Sequence, residues 1–376
     1  MKFNQLYNLL SESSELLLEG GAAGHIDHPF DLPNVKTGND LLNVFKRIVE
    51  SLSAKKQSVK IDGVNVSVKI INYNNKAQFA IDRGTSKDID IQGVTVDYLE
   101  QRFNSDGTKP NHIIITEGKK YLNALNESIT TIKPELIELG LWDKPYYLLN
   151  IDLVNGPTNV IQYDKPFIAI HNVIKLVQET PKKRVSRVVP YSDEVLKRLT
   201  EKIKPFLQKY GYDVYPTIYT STIINKDIIL NEFNNILNRP FDIIYKHNKE
   251  TKPLKEWLNN AENPKGKKIN ILNDNFNIKQ VDALSKLVYI KILDKNTPLD
   301  SFVLHKNDYK KAIDGAIIYH ITRLLGQIII NNVKSENGES ISEQEGIIIN
   351  DSSISNREVK VTGDFIVKAL KSPFNS

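Results

Sequence analysis

Cysteine is absent from the 376 residues, which rules out thiol nucleophiles, disulfides and zinc sites built on thiolates. No apolar run approaches the roughly 20 residues that span a bilayer. No basic segment followed by a long apolar core marks an export signal either. The expectation is a protein that stays in a cytoplasm and has no membrane partner. A strong excess of either charge is lacking too: 50 Lys and Arg stand against 45 Asp and Glu, a net charge of +5. Such mild basicity suits a polyanionic partner without requiring one. Metal-ligand spacing is also missing among His112, His171, His247, His305 and His320, which read as ordinary polar or core residues.

What is present is the composition of a globular protein, 40% hydrophobic and 25% charged, long enough for one large core or two domains. Helical spacing marks 38–54, with Asp40 near its start, and then 94–103, 119–132 and 134–141. A short buried strand is expected at 167–171. The basic run Pro181-Lys182-Lys183-Arg184-Val185-Ser186-Arg187 reads as a solvated connector, with phosphate contact as the alternative. An amphipathic helix follows at 193–209. Between 180 and 335 the signals are mainly helical, at 227–237, 255–260, 281–293 and 309–330, separated by Pro205, Pro216, Pro240, Pro253, Pro264 and Pro298. Residues 347–350 and 359–361 return to strand.

The informative stretch is Lys60-Ile61-Asp62-Gly63-Val64-Asn65, continued by Val66-Ser67-Val68-Lys69. Val64, Val66 and Val68 alternate with Asn65, Ser67 and Lys69, so the run reads as a strand entered through a Gly turn, with Lys60 at a strand edge. A lysine there becomes a nucleophile if desolvation or a neighbouring cation favours its neutral amine and an electrophile is held close. The stretch resembles motif I, Lys-x-Asp-Gly with a following Asn, of the covalent nucleotidyltransferases: ATP-dependent DNA ligases, RNA ligases and mRNA capping enzymes. In that family the lysine attacks the α-phosphate of a nucleotide and forms a lysyl-NMP intermediate.

Further stretches resemble the companion motifs, in the same order. Phe79-Ala80-Ile81-Asp82-Arg83-Gly84-Thr85 is similar to motif Ia, which implies phosphate contact by Arg83. Tyr147-Leu148-Leu149-Asn150-Ile151-Asp152-Leu153-Val154 and then Gly156-Pro157-Thr158-Asn159-Val160-Ile161-Gln162-Tyr163 resemble the motif III and IIIa region of RNA ligases. There Asp152 stands where the family usually has Glu to reach the ribose hydroxyls. Glu345-Gly346-Ile347-Ile348-Ile349 resembles motif IV, which implies that Glu345 helps to hold a divalent metal. Val359-Lys360-Val361-Thr362 resembles motif V, with one of its usual two lysines. Period-two alternation puts Glu358, Lys360 and Thr362 on one side.

The resemblance implies an α+β fold, an ATP-grasp-like ligase adenylation core with antiparallel sheets. It would be built from 36–180 and 336–376 around a mainly helical insertion at 181–335. It implies an ATP-dependent nucleic-acid ligase, RNA favoured, that seals 5′-phosphate to 3′-hydroxyl ends, with Mg²⁺ as metal and Mn²⁺ as the alternative ion. Lys60 is then the nucleophile with Asp62 close by, and Gly63 and Asn65 lie at the nucleotide. Arg83 and Lys360 neutralise phosphate charge. The alternatives are a nucleotidyltransferase with a non-nucleic-acid acceptor, or a degenerate nucleic-acid-binding relative packaged in a virion.

Residues 1–35 form a separate N-terminal region. Phe3, Leu6, Leu9 and Leu10 have helical spacing, and Leu17-Leu18-Glu19-Gly20 resembles the processing site of prohead proteases of large tailed phages. That resemblance implies a capsid-targeting peptide at 1–19 and an infected host cell, or the interior of a virion, as location. His25, Asp27 and His28 supply only part of a metal set, so the Gly-rich segment reads as a loop.

Overall fold

The computed structural model describes residues 26–363 apart from 109, 111, 156–162, 164, 224, 246–247, 267, 272–273, 278–308 and 343. The expected helix and processing site of 1–20, the 156–162 stretch, the 281–293 helix, His247 and His305 lie outside the described residues. The fold is mixed α+β with antiparallel sheets and several helices, and the chain divides into two units. Among the described residues one unit holds Ile26–Lys60 and the chain from Tyr219 onward, and the other is Ile61–Ile218.

The first unit opens with helix α1 (Gly38–Ala54), which matches the expected 38–54. Its start is written in Thr37 and Asp40: the Thr37 hydroxyl accepts from the Asp40 N–H at 3.2 Å, and the Asp40 carboxylate accepts from the Thr37 N–H at 2.9 Å. This reciprocal capping satisfies donors that the first helical turn leaves open. Leu41, Val44, Phe45, Ile48, Val49 and Leu52 turn inward, and strand β1 (Ser58–Lys60) closes the segment.

The Ile61–Ile218 unit contains strands β2 (Val64–Asn65), β3 (Val68–Tyr73) and β4 (Lys76–Ile81), then helices α2 (Asp88–Gln92), α3 (Leu99–Phe103), α4 (Ile113–Thr116) and α5 (Gly118–Glu138). Strands β5 (Tyr147–Val154), β6 (Phe167–Thr180) and β7 (Lys183–Val188), helix α6 (Asp193–Lys209) and strand β8 (Asp213–Pro216) complete it. Its seven-stranded sheet has the order β4-β3-β5-β6-β7, with β2 also on β5 and β8 parallel to β6. One face packs Val66, Val68, Leu149, Ile151, Ile168 and Val173 into a single core with apolar residues of α5 and α6.

Several expectations change here. The helices expected at 119–132 and 134–141 are the single helix α5, with Pro134 inside it. Losing one backbone hydrogen bond at a proline does not break a helix whose Ile132 and Leu136 stay in the core on either side. Pro205 sits inside α6 in the same way. In place of a helix over 94–103, Val94 bridges to Ile81 and only 99–103 is α-helical. The short strand expected at 167–171 runs on to Thr180, and the basic run at 181–187 is largely β7 rather than a solvated connector. The helical insertion expected from 181 is therefore displaced: 183–216 belongs to the sheet unit, and the chain rejoins the first unit at Tyr219.

That return carries α7 (Lys226–Leu237), the hairpin β9 (Pro240–Tyr245) and β10 (Asn248–Pro253), α8 (Leu254–Asn259), the hairpin β11 (Lys268–Ile271) and β12 (Asp274–Asn277), and α9 (Tyr309–Asn332). Strands β13 (Gly346–Ile349) and β14 (Val359–Thr362) then join β1 in the antiparallel order β1-β13-β14. Helix α9 is long and apolar enough to cross a membrane by length and composition, and 83% of its apolar window is buried. It is apolar on every side because α1, α7, α8 and β14 pack around it. No other described helix meets that length and composition.

Candidate functional site

The first unit brings together Lys60 and Glu345. Lys60 ends β1 opposite Gly346, the first residue of β13, so the register sets the preceding Glu345 beside the lysine. The Lys60 ammonium donates to the Glu345 carboxylate, and the two side chains are only 20% and 11% exposed. Gly346 is required for this approach: a Cβ built there would stand 2.0 Å from the Val361 carbonyl oxygen of β14. The Gly after the acid, which the sequence presents as part of a motif, is thus a packing necessity of the sheet.

Register also places Lys360. Lys60, Gly346 and Thr362 lie in one row, and Ser58, Ile348 and Lys360 in the next row of like orientation. Lys60 and Lys360 therefore share one face, while Val59, Ile347 and Val361 fill the buried face opposite. Thr362 shares the face of Lys360 as the alternation predicts, but it is buried and its hydroxyl accepts from Arg323. The Lys360 N–H donates to the Asp27 carbonyl oxygen at 2.9 Å, which ties the segment of His28 to the edge of this sheet.

The second unit gathers a different set on the sheet face opposite its helices. Asn65 pairs with Asp152 across β2 and β5. The Asn65 amide donates to Asn150 Oδ1 at 2.6 Å, to the Ile151 carbonyl oxygen at 3.2 Å and to Asp152 Oδ1 at 3.2 Å. Ser67 Oγ donates to Asn150 Oδ1 at 2.9 Å. On the same carboxylate His171 Nε2 lies 3.1 Å from Asp152 Oδ2, although its N–H direction does not aim along that line. Apolar clusters flank this polar island, Ile61, Val154 and Ala169 at one end and Leu148, Ile174 and Leu176 at the other.

Gly63 and Asp62 lead into it. A Cβ on Gly63 would come within 3.0 Å of Asp152 Cβ and Val154 Cγ2, so the glycine lets the entering turn lie on β5. The Asp62 N–H donates to the Tyr163 hydroxyl oxygen at 3.3 Å.

Arg83 is 5% exposed and donates to the carbonyl oxygen of Asn65, so its guanidinium braces the strand that carries Asn65. The corner around it rests on buried charge. Asp82 accepts from Lys69 Nζ at 2.8 Å and from both terminal nitrogens of Arg184 at 3.1 and 2.7 Å. Burial pushes the Lys69 pKa down, and the Asp82 carboxylate opposes that shift. Asp90 takes Arg102 as a second buried pair, with two bonds of 2.8 and 3.2 Å.

No family model, no curated protein and no solved structure matches the chain. The site accordingly rests on its own geometry. Lys60, Glu345 and Lys360 come together in one unit, and Asp62, Gly63, Asn65, Arg83 and Asp152 in the other. The sequence reading passed over His171, Asn150, Ser67 and the Lys69, Asp82 and Arg184 network. Asn150 was findable, because polar residues at 150 and 152 interrupt an otherwise apolar strand on one face. His171 was not, because a β-bulge decides where it points.

Proposed function

We propose that this chain is a covalent nucleotidyltransferase of the polynucleotide-ligase type and that Lys60 is its nucleophile. The observation that carries the reading is the Lys60–Glu345 pair, two mostly buried and opposite charges at the end of β1 and just ahead of β13, with Lys360 on the lysine's own face. Lys60 is ion-paired with Glu345, and a lysine attacks only through a neutral amine, so on this reading the lysine leaves the pair and loses its proton before reaction. Glu345 is the residue that would hold a divalent ion, and Mg²⁺ bound there would supply positive charge to the phosphates.

The lysine amine then forms a bond to the α-phosphorus of ATP while the bond from that phosphorus to the departing pyrophosphate breaks, and the amine loses its proton. Lys360 opposes the charge that develops on the phosphates, which is electrostatic work of the kind that dominates phosphoryl transfer. The resemblance implies a ribose role for Asp152, whose Oδ1 accepts from the Asn65 amide at 3.2 Å within its own unit. AMP would pass next to a 5′-phosphate, to be displaced by a 3′-hydroxyl, with RNA ends favoured. The test is incubation with α-labelled ATP, and separately GTP, in the presence of Mg²⁺, followed by denaturation. Label from ATP that is lost in Lys60→Ala supports the reading. An adduct that persists in that variant contradicts it, as does absence of label in protein shown to be free of prior adenylation.

A further inference from the structure

Strand β6 carries one residue more than β5 opposite it. Asn150 pairs with Asn172 and Ile151 with Ile170, so His171 is the extra residue of a β-bulge. In a regular strand His171 and Asn172 would face opposite ways. Here Ile170 and Val173 both remain in the helix-covered core while Ala169 and Ile174 lie in the clusters of the other face. The bulge is the step that lets both His171 and Asn172 leave the core face, and bulges re-aim side chains in this way beside functional sites.

Both residues arrive with a polar atom unsatisfied. His171 Nε2 lies within ion-pairing distance of Asp152 but makes no aligned hydrogen bond, and Asn172 Oδ1 is buried with no hydrogen-bond partner. Buried polar atoms without partners are destabilising, so two on consecutive residues require an explanation. Asp152 meanwhile is held on its other oxygen by Asn65 at 3.2 Å. The island thus offers a carboxylate and an amide oxygen that accept, and an imidazole nitrogen, all on one sheet face. Neutral hydroxyls that both donate and accept suit that set; phosphate oxygens, which would meet the carboxylate, do not.

We propose that the β6 bulge sets His171 and Asn172 beside Asp152 so that recognition of a nucleotide's ribose hydroxyls depends on β6 as well as on β5. The inference rests on the nucleotidyl-transfer reading for its choice of ligand.

The test is equilibrium binding of ATP, 2′-deoxyATP and 3′-deoxyATP to the full chain and to His171→Ala, His171→Gln and Asn172→Ala, with covalent labelling of the same samples. The wild type is expected to prefer ATP over at least one deoxy analogue. His171→Ala should weaken ATP about tenfold or more while changing that analogue little, so the preference shrinks. His171→Gln should restore part of it, because its amide can hydrogen-bond where alanine cannot. If His171→Ala fails to fold, as judged by circular dichroism, the Gln and Asn172→Ala variants carry the comparison. Equal weakening toward all three nucleotides, no change in any of them, or a wild type without preference overturns the inference, and so does a wild type that binds none. Labelling separates the two claims: label with unchanged sugar preference in the variants sinks only this inference, and sugar preference without label sinks only the transfer reading.

Discussion

The ammonium of Lys69 lies 2.8 Å from the Asp82 carboxylate, and both side chains are shut away from solvent. Arg184 approaches the same carboxylate at 2.7 Å, so one anion neutralises two buried cations at the corner that carries Arg83. Removing the anion leaves both cations uncompensated. Asp82→Asn is expected to cost about 3–5 kcal/mol of stability, the usual result of breaking a buried pair from one side. Lys69→Met leaves Asp82 paired with Arg184 and should cost clearly less. Urea unfolding of the two variants checks the order, and a milder effect for Asp82→Asn would contradict it.

Gly346 gives a second prediction. Its replacement by alanine would set a methyl group against the backbone of β14, where no side chain can yield. Overpacking of this kind costs about 1–3 kcal/mol. The strand shift would also move Glu345 away from Lys60. Gly346→Ala should therefore lose both stability and adduct formation, whereas Ile348→Val, two residues along the same strand, should lose about 0.5–1.5 kcal/mol and keep the adduct. Thermal melts and labelling of both variants read the difference.

His320 in α9 predicts a pH dependence. Burial pushes its pKa down from 6.5 to about 4, and its ring packs against Phe241 at 4.9 Å. Below pH 6.5 the unfolded chain takes up a proton that the folded chain resists until about pH 4, so stability is lost as pH falls through that window. A shift of this size corresponds to about 3 kcal/mol. His320→Gln should flatten the difference in stability between pH 7 and pH 4 relative to the wild type. Denaturant midpoints across that range test it, and parallel curves for the two proteins would contradict it.

Glu345→Gln keeps the shape of the side chain and removes its charge. If Glu345 holds a metal ion at the phosphates as proposed, loss of its charge is expected to lower the rate of adduct formation by about 10²–10³-fold. Labelling rates of the two proteins under the same conditions measure the loss, and an unchanged rate would contradict it.

Much of this arrangement was legible in the residues. Alternation at Val64, Asn65, Val66, Ser67 and Val68 assigned each side chain to a face, and the structure puts Val66 and Val68 in the core and Asn65 and Ser67 in the polar island. Helix α1 could be placed from Asp40 and its apolar spacing because these signals act within a few residues of one another. What escaped depends on distant partners. Arg184 looked like part of a solvated basic run, yet it spends its charge on Asp82, about a hundred residues earlier in the chain. Likewise Pro134 reads as a break between two helices, and tertiary packing of α5 against α6 carries α5 through it.

The central claim is a covalent bond at Lys60, and peptide mapping by mass spectrometry tests it most directly. The protein is incubated with ATP and Mg²⁺, denatured, digested and compared with Lys60→Ala. The account predicts one AMP-bearing peptide, the one that contains Lys60, and no modified peptide from the variant. An AMP group on any other lysine, or no modified peptide from protein shown to bind ATP, would contradict it.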